Sequence, residues 1–546
     1  MLSLIVQRMD SLFLNKNMKK YTSEITAFVY IISFILGLVG YLQTNEFDFI
    51  SSCYNSLRLF ILEFDGSADN IPFLLNLSRF VSPLILASSI IIALKEYFNK
   101  VMLNLKIRHL NVHTIIFCNN ESDINIIKKS SNTLVVTNVL YEGLSLVSKN
   151  IKDVEKVNIE KAEKVILLHD DKTNLSYLRE MKKRFSNLKN ITLYIRLEEN
   201  ENVKMFNRFK LNTNFKKELL INPRQLFSRE VFFKNPVLDY VHHNNKIPHA
   251  IISGEYENIK WLIFEIANIS HYPSLKNTKI TLIGNESEKQ KKNLIDEFPN
   301  INEVIDFSTI CKSSTSISNE DFSSLDITAI YISEKTLEES QTTASHYKRI
   351  FYSNKTDSIN ISVINFGFGS IDDVYETSEF NSEFNIKYFD YKILEELNII
   401  EHLDKYDFIA KSIHDYYKDL YGGEDWELLT ESMKTSNRYQ AYHTNIKLGY
   451  LGYIADISSK SDKLRIDYSK LQLDVLAQME KRRWNAERLL NGWVYGKIRN
   501  DDLKIHPDLV PWQALDEVAK QKDRDTVSNI TNTITTLGFS LTRIHE

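Results

Sequence analysis

Aromatic and guanidinium side chains crowd the C-terminal third of this chain. Four of its five tryptophans fall there: Trp426, Trp484, Trp493 and Trp512. His414, His443 and His506 share the region, as do Arg438, Arg482, Arg483, Arg488 and Arg499. Flat aromatic faces stack nucleobases at ~1–3 kcal/mol each. Guanidinium forks bind phosphate oxygens in pairs. Together they are what a planar, phosphorylated ligand requires. Gly492 precedes Trp493 and Gly496 follows Tyr495, so a tight turn can present both rings. The run Ser436-Asn437-Arg438 places donors at one point near a helix start. The candidate ligand-binding set is Asn437, Arg438, Arg483, Trp484, Trp493, Tyr495, Arg499, His506 and Trp512. Plainer roles remain open to several of them. Trp484 lies in DVLAQMEKRRWNAERLL, where it also reads as core. His506 before a proline also reads as a turn residue. Arg482, Arg483 and Arg488 also read as a solvated helix face.

Catalytic signatures are missing. The chain has no H-E-x-x-H, G-x-S-x-G, phosphate-loop or paired-cysteine motif. His169-Asp170-Asp171 has the residue types of a metal cluster, but it sits where a strand ends, and structure accounts for it. No catalytic or metal-ligating residue is assigned. Cys53, Cys118 and Cys311 are too few and too far apart for a disulfide scaffold or a cysteine-based zinc site. With 67 basic and 71 acidic residues the net charge is −4, which argues against coating duplex nucleic acid. Glycine numbers 15 in 546 residues, well under the ~7% norm, so glycine-dependent phosphate loops must be few.

These candidates need elements to hold them. At ~150 residues per domain, 546 residues imply three or four domains. From residue 395 onward helical signals dominate. Before that, short apolar runs alternate with helical stretches: HTIIFC, TLVVT, KVILLHDD and ITLYIRL, then HAIISG, KITLIG, ITAIYIS and INISVINFG. Such alternation predicts parallel, doubly wound sheets, and its recurrence predicts an internal duplication. The expected fold is multidomain α/β. A two-helix transmembrane segment (1–100) precedes two tandem Rossmann-like domains (101–240 and 241–394) and a mainly α-helical domain (395–546).

The membrane expectation rests on two stretches. Residues 25–42 carry no charge, and residues 73–94 are long enough to span but contain Asn76, Arg79 and Pro83. A buried soluble helix is the plainer account of the second. Basic residues flank the pair (Arg8, Lys16, Lys19, Lys20; Lys95, Lys100, Lys106, Arg108), and acidic ones lie between (Glu46, Asp48, Glu63, Asp65, Asp69). The positive-inside rule then places both termini in the cytoplasm. The connecting FISSCYNSLRLFILEF has apolar positions at helical spacing. It reads as a re-entrant helix, or as an amphipathic helix lying on the bilayer. The potassium-filter sequence TVGYG is absent, so Glu63 and Asp65 are the pore candidates, as an acidic ring in a homo-oligomer.

Residues 111–367 resemble the TrkA-N/RCK family, the regulatory domains of potassium channels and transporters. The resemblance is carried by NVHTIIFC, NIEKAEKVILLHDDKTNL and PHAIISGEYENIKWLIFEIA. It implies tandem Rossmann-like domains attached behind a membrane helix. A dinucleotide loop needs G-x-G-x-x-G. The first copy has CNNESD and the second SGEYEN, with Gly254 alone. The acidic ribose partner is missing near Asn138 and Gly284-Asn285. No cofactor is expected, the NAD site being lost. Residues 476–544 closely resemble the ryanodine-receptor repeat, or RyR, domain. Glu480, Arg483-Trp484, NGWVYG, KIHPDLVPW, Lys522-Asp523-Arg524 and LGFSLTRI carry that resemblance. Where that family often has His after the glutamate, this chain has Lys481. Bacterial proteins with this combination resemble membrane-bound sensors or effectors of nucleotide-derived signals in antiviral defence. The resemblance implies a ligand-gated homo-oligomer, dimer or tetramer, in the bacterial inner membrane. Its partners are the lipid bilayer and a small phosphorylated, nucleotide-type ligand. The alternative is a membrane-tethered binding or assembly protein with no pore.

Overall fold

The computed structural model describes residues 16–66, 71–109, 114–119, 133–137, 145–147, 159–185, 188–208, 215–239, 246–353, 359–366, 386–391, 394, 399–456, 466, 468–536, 538 and 540–543. It divides into two compact units, Met1–Leu110 and Asn111–Glu546. The CNNESD loop beyond Asn119 and the position near Asn138 lie outside the described residues.

The first unit holds three helices: α1 (Lys16–Gln43), α2 (Phe49–Arg58) and α3 (Phe73–His109). Small residues let α1 and α3 close together. A Cβ on Gly40 would stand 2.5 Å from the Leu75 backbone nitrogen. Ser78 Oγ donates to the Ser33 carbonyl at 3.0 Å, and the Ser33 and Ser82 hydroxyls meet at 2.8 Å. Asp48 caps α2 by accepting from the Ser51 N–H at 3.1 Å. This helix is turned inside out: Ser52, Asn55 and Ser56 are buried, whereas Ile50 is 76% exposed and Phe49, Tyr54 and Leu57 are also exposed. Among the described residues one stretch, Phe73–Ile91 in α3, is long and apolar enough to cross a membrane. In α1 the described residues Phe28–Gln43 form a further apolar helical stretch. Of the expected pair of spanning helices, one is met by length and composition among the described residues.

The second unit opens with a parallel six-stranded sheet: β1 (Thr114–Cys118), β2 (Thr133–Thr137), β3 (Ser145–Val147), β4 (Lys164–Leu167), β5 (Leu188–Arg196) and β6 (Phe215–Ile221). Helices α4 (Asp171–Arg184), α5 (Asn200–Arg208) and α6 (Pro223–Lys234) belong to it. Its order is β3-β2-β1-β4-β5-β6, the doubly wound arrangement. The second sheet repeats it. Strands β7 (His249–Gly254), β8 (Thr278–Ile283) and β9 (Ile305–Ile310) accompany α7 (Tyr256–Ile269) and α8 (Ser287–Glu297). The short α9 (Asn319–Ser323), β10 (Ala329–Ser333), α10 (Leu337–Ser353), β11 (Asn360–Asn365) and β12 (Ile386–Asp390) complete it. The order is β12-β11-β10-β7-β8-β9, again parallel throughout. Counted within its own copy, each strand occupies the same place as in the first sheet. Alternate strand residues feed opposite faces: Ile252 joins the core shared with the first sheet, and Ile251 a separate core with Tyr347 and Phe351.

The remainder is α11 (Ile399–Tyr421), α12 (Glu431–Tyr442), α13 (Thr444–Tyr450), β13 (Tyr453–Asp456), α14 (Lys470–Leu490), β14 (Val494–Tyr495), β15 (Ile505–His506), α15 (Glu517–Ser528), α16 (Ile530–Thr536) and β16 (Ser540–Arg543). It is mainly helical, with two short strand pairs. β13 pairs antiparallel with β16, and β14 pairs parallel with β15. One apolar core runs on from Ile116 in the first sheet, through Ile252 and Ile266 in the second, to Leu476 and Val527 here. Between them Tyr439 Oη donates to Glu265 at 2.8 Å, and Asn300 Nδ2 donates to the Leu489 carbonyl at 3.1 Å.

Candidate functional site

Helix α14 sets the site. Ser469 and Gln472 form a capping box at its start, which fixes where the helix begins. At its end Gly492 takes φ 78°, left-handed backbone that favours glycine, and the chain reverses. The Trp493 N–H then donates to the Arg488 carbonyl at 2.9 Å. A Cβ on Gly496 would stand 2.4 Å from Ile505 Cγ2, so glycine lets the turn close on β15. Pairing of Tyr495 with His506 brings the imidazole back over α14.

Four side chains meet there. The His506 ring stands edge-on to Trp484, centroids 4.9 Å apart, and 6.2 Å from Trp493. The Arg488 guanidinium lies 4.7 Å from the Trp493 ring and 5.6 Å from Trp484. Trp484 and Arg488 are four residues apart, and Lys481 three before Trp484, so all share one helix face. Lys481 Nζ sits 4.2 Å from the Trp484 ring and donates to the Asp508 carbonyl at 2.5 Å. Arg488 is 8% exposed and Trp493 4%. Arg488 Nε and Nη1 and Trp493 Nε1 are buried donors without a hydrogen-bond acceptor. The Glu487 carboxylate lies 3.5 Å from Arg488 Nε, close enough for an ion pair but making no hydrogen bond. Burial lowers the Arg488 pKa. Burial, with the charges of Arg499, Arg488 and Lys481, pushes His506 down to about 4, so at neutral pH it is uncharged. Its Nδ1 accepts from the Asp508 N–H at 3.0 Å.

The other sequence candidates lie elsewhere. Arg483 is buried beneath this cluster, with Nε and Nη2 donating to Glu480 at 3.0 and 2.8 Å. Lys447 donates to the same carboxylate, and His443 Nδ1 lies 3.9 Å from it. The charges of Arg483 and Lys447 hold Glu480 well below the usual carboxylate range despite its burial. Arg438 is bound by Asp407 at 2.6 and 2.8 Å and by Glu431. Asn437 Nδ2 bonds the Met433 carbonyl on its own helix at 3.0 Å. Tyr495 is exposed, and Arg499 pairs with Asp501 at 2.7 Å on the surface. Trp512 packs near Arg524 at 5.6 Å. So Trp484, Trp493 and His506 come together, while Asn437, Arg438 and Arg483 serve internal bonds. Arg488 is the residue that spacing could have added, through its i, i+4 relation to Trp484. In the first unit Glu63 and Asp65 both pair with Arg58, at 2.9 and 3.1 Å.

The sheets raise the question of a dinucleotide, which would sit at the carboxyl ends of β7 and β10, where the strand order reverses. The residues there do not fit a pyrophosphate. A Cβ on Gly254 would lie 2.1 Å from the Ser333 carbonyl oxygen, so this glycine serves strand-to-strand packing. Glu255 stands at the N-terminal boundary of α7 without a capping hydrogen bond, Glu257 lies in its first turn, and the Glu334 carboxylate accepts from Ser253 and Ser314. Negative charge occupies the place where the helix terminus would receive an anion. In the first sheet His169 Nδ1 and Asn119 Oδ1 meet at 2.6 Å. Asp170 caps α4, accepting from Thr173, and Asp171 accepts from the Glu198 and Glu199 N–H groups. Among the described residues no cluster of three His, Cys, Asp or Glu could hold a metal.

The indole–guanidinium cluster, the capping box of α14 and the strand β16 all lie within one stretch of sequence. Residues 464–543 match the RyR domain family, so the chain carries an RyR domain over those residues.

Proposed function

We propose that this protein is a membrane-bound, ligand-gated effector. Its RyR domain takes a small phosphorylated ligand with a nucleobase-like ring, a nucleotide-derived signal, and its membrane helices respond by opening or disrupting the bilayer. The observation that carries the reading is Arg488. A guanidinium buried between two indoles, with two N–H groups lacking acceptors, is costly to the fold. An anionic oxygen would satisfy those donors, and the half-buried Trp484 beside them offers a stacking face. The inverted first unit supports the membrane half. Phe49, Ile50, Leu57, Leu62, Phe73 and Phe80 face outward while serines and an asparagine face inward. In water so large an apolar surface is unfavourable; against lipid it is the stable arrangement. The flanking charges favour both termini in the cytoplasm of a bacterium, with the protein a homo-oligomer.

A second reading has its own support. Arg58 pairs with both Glu63 and Asp65, which offsets half of the charge an acidic ring would offer a cation path. A membrane-tethered binding or assembly protein would need none. Titrating full-length protein in detergent with linear nucleotides and cyclic oligonucleotides, by calorimetry, tests the sensor common to both. One class is expected to bind, at least tenfold more weakly to Arg488→Met. A panel without a binder would end the nucleotide reading.

A further inference from the structure

A cavity of about 100 Å³ lies inside the second unit. Three parts of the fold wall it: α5, β6 and α6 of the first sheet, α7 of the second, and α11, α12 and the end of α14. A water needs roughly 10–15 Å³ of such space, so the cavity has room for a ring-sized molecule. Its walls are aromatic: Trp261, Phe264, Tyr439 and Tyr442.

The charges in the walls cancel. Arg229 donates to Glu265 at 2.8 and 3.1 Å, and Gln225 Nε2 and Tyr439 Oη donate to the same carboxylate at 2.6 and 2.8 Å. Arg438 and Lys217 are matched by Asp407 and Glu431. What remains is two neutral donors, Trp261 Nε1 and Asn222 Nδ2, without acceptors in side chains only 2% and 3% exposed. The orientation of the asparagine is fixed. Its Oδ1 caps α6 by accepting the Gln225 N–H at 3.0 Å, which leaves the NH₂ group as the free end. Buried donors of this kind destabilise a fold unless an acceptor meets them.

We infer that this cavity is a second ligand site, for a small, uncharged, planar molecule bearing carbonyl or ring-nitrogen acceptors, of nucleobase or aromatic-carboxamide type. Aromatic walls supply stacking, the two N–H groups fix orientation, and the cancelled charges disfavour a phosphate. The site shares none of Trp484, Arg488, Trp493 or His506. Leu490 and Asn491, at the end of α14, line it just before the turn that carries Trp493.

Equilibrium dialysis of the full-length protein in detergent, with adenine, nicotinamide and inorganic phosphate as probes, tests this. The variants are Trp261→Phe, which keeps a ring and removes the N–H, Asn222→Ser, which keeps a capping oxygen, and Arg488→Met. Adenine or nicotinamide should bind saturably at one per chain. That binding should weaken at least tenfold in both cavity variants and be unchanged in Arg488→Met. Thermal unfolding near the wild-type midpoint in at least one cavity variant shows that the fold persists. The inference is overturned by absence of saturable binding of either base. Binding that survives both cavity substitutions, binding lost only in Arg488→Met, or phosphate competing for the site would also overturn it. Because Arg488→Met leaves this site intact, failure here and failure of the RyR reading are separable.

Discussion

Replacing Arg488 by methionine separates a structural guanidinium from one held for a ligand. The side chain keeps its length and loses its charge. In the fold, the arginine contributes cation–π attraction to Trp493 and Trp484, at 4.7 and 5.6 Å, worth about 0.5–2 kcal/mol. Against that stand two buried N–H groups without acceptors, each costing about 1–3 kcal/mol. The pair with Glu487 at 3.5 Å is not hydrogen-bonded, although Glu487 itself is held by Asn491 at 2.9 Å. Replacing a whole buried ion pair with apolar groups is often neutral or stabilising by about 1–4 kcal/mol, whereas removing one partner leaves the other charge buried at a cost of about 3–5 kcal/mol, and here that charge would be Glu487. Relief of the two unmet donors and the stranding of Glu487 are of similar size, so the expected change in unfolding free energy lies within about 2 kcal/mol of zero. Ligand binding should fall clearly. A lost charge-assisted hydrogen bond costs about 1.5–3 kcal/mol, and each 1.4 kcal/mol is about tenfold in affinity. Urea denaturation of the detergent-solubilised protein, paired with calorimetry against the bound nucleotide, reads both. A loss of more than about 3 kcal/mol of stability with unchanged affinity would refute the reasoning and make Arg488 a core residue.

Other outcomes follow from the same geometry. Glu480→Ala strips the shared acceptor from Arg483 and Lys447, and chemical denaturation should show a loss of about 3–5 kcal/mol. Gly40→Ala puts a methyl group 2.5 Å from the Leu75 backbone, and should lower the thermal midpoint of the detergent-solubilised protein by forcing α1 and α3 apart, at about 1–3 kcal/mol. Burial holds His506 and His443 at about 4 and His402 at about 3, against 6.5 when unfolded. Unfolding therefore takes up protons below pH 6.5. Their contribution is complete above that pH and drains away as pH falls towards 4. Burial raises Glu218 and Glu230, which opposes the trend. His443→Gln should make the midpoint less steep between pH 6 and 4 by about one proton. Protease added outside intact cells should cut only around residues 63–69, and cleavage of the RyR domain from outside would reverse the orientation.

The interior of each sheet was legible and its edges were not. Runs such as HTIIFC and HAIISG are apolar on both faces because helices or neighbouring layers cover them, and composition shows that directly. The strands missing from the sequence reading are β3, β6, β9 and β12, the edge strand on each side of each sheet. Edge strands keep one side in water: β6 spells FKKELLI and β9 IDFSTI, which lack a continuous apolar run. The two-stranded pairs of the C-terminal part are shorter still, two to four residues, below any periodicity signal. For the site, residue types pointed to the right stretch, but only pairing could show which arginines were already bound. Arg438 and Arg483 meet Asp407 and Glu480 from partners 31 and 3 residues away, and the first of these separations leaves no local trace. Arg488 was legible as the i+4 neighbour of Trp484, had the helix face been read instead of the arginine run.

Ion flux from liposomes loaded with the full-length protein addresses the central claim most directly. The panel nucleotide that binds in calorimetry is added to the face bearing the RyR domain. The account predicts release of a trapped ion that depends on the nucleotide, shifts to at least tenfold higher concentration in Arg488→Met, and is abolished when residues 1–100 are removed. Binding of the nucleotide to wild-type protein with no release at any concentration would contradict the effector reading and leave a tethered binding protein in its place.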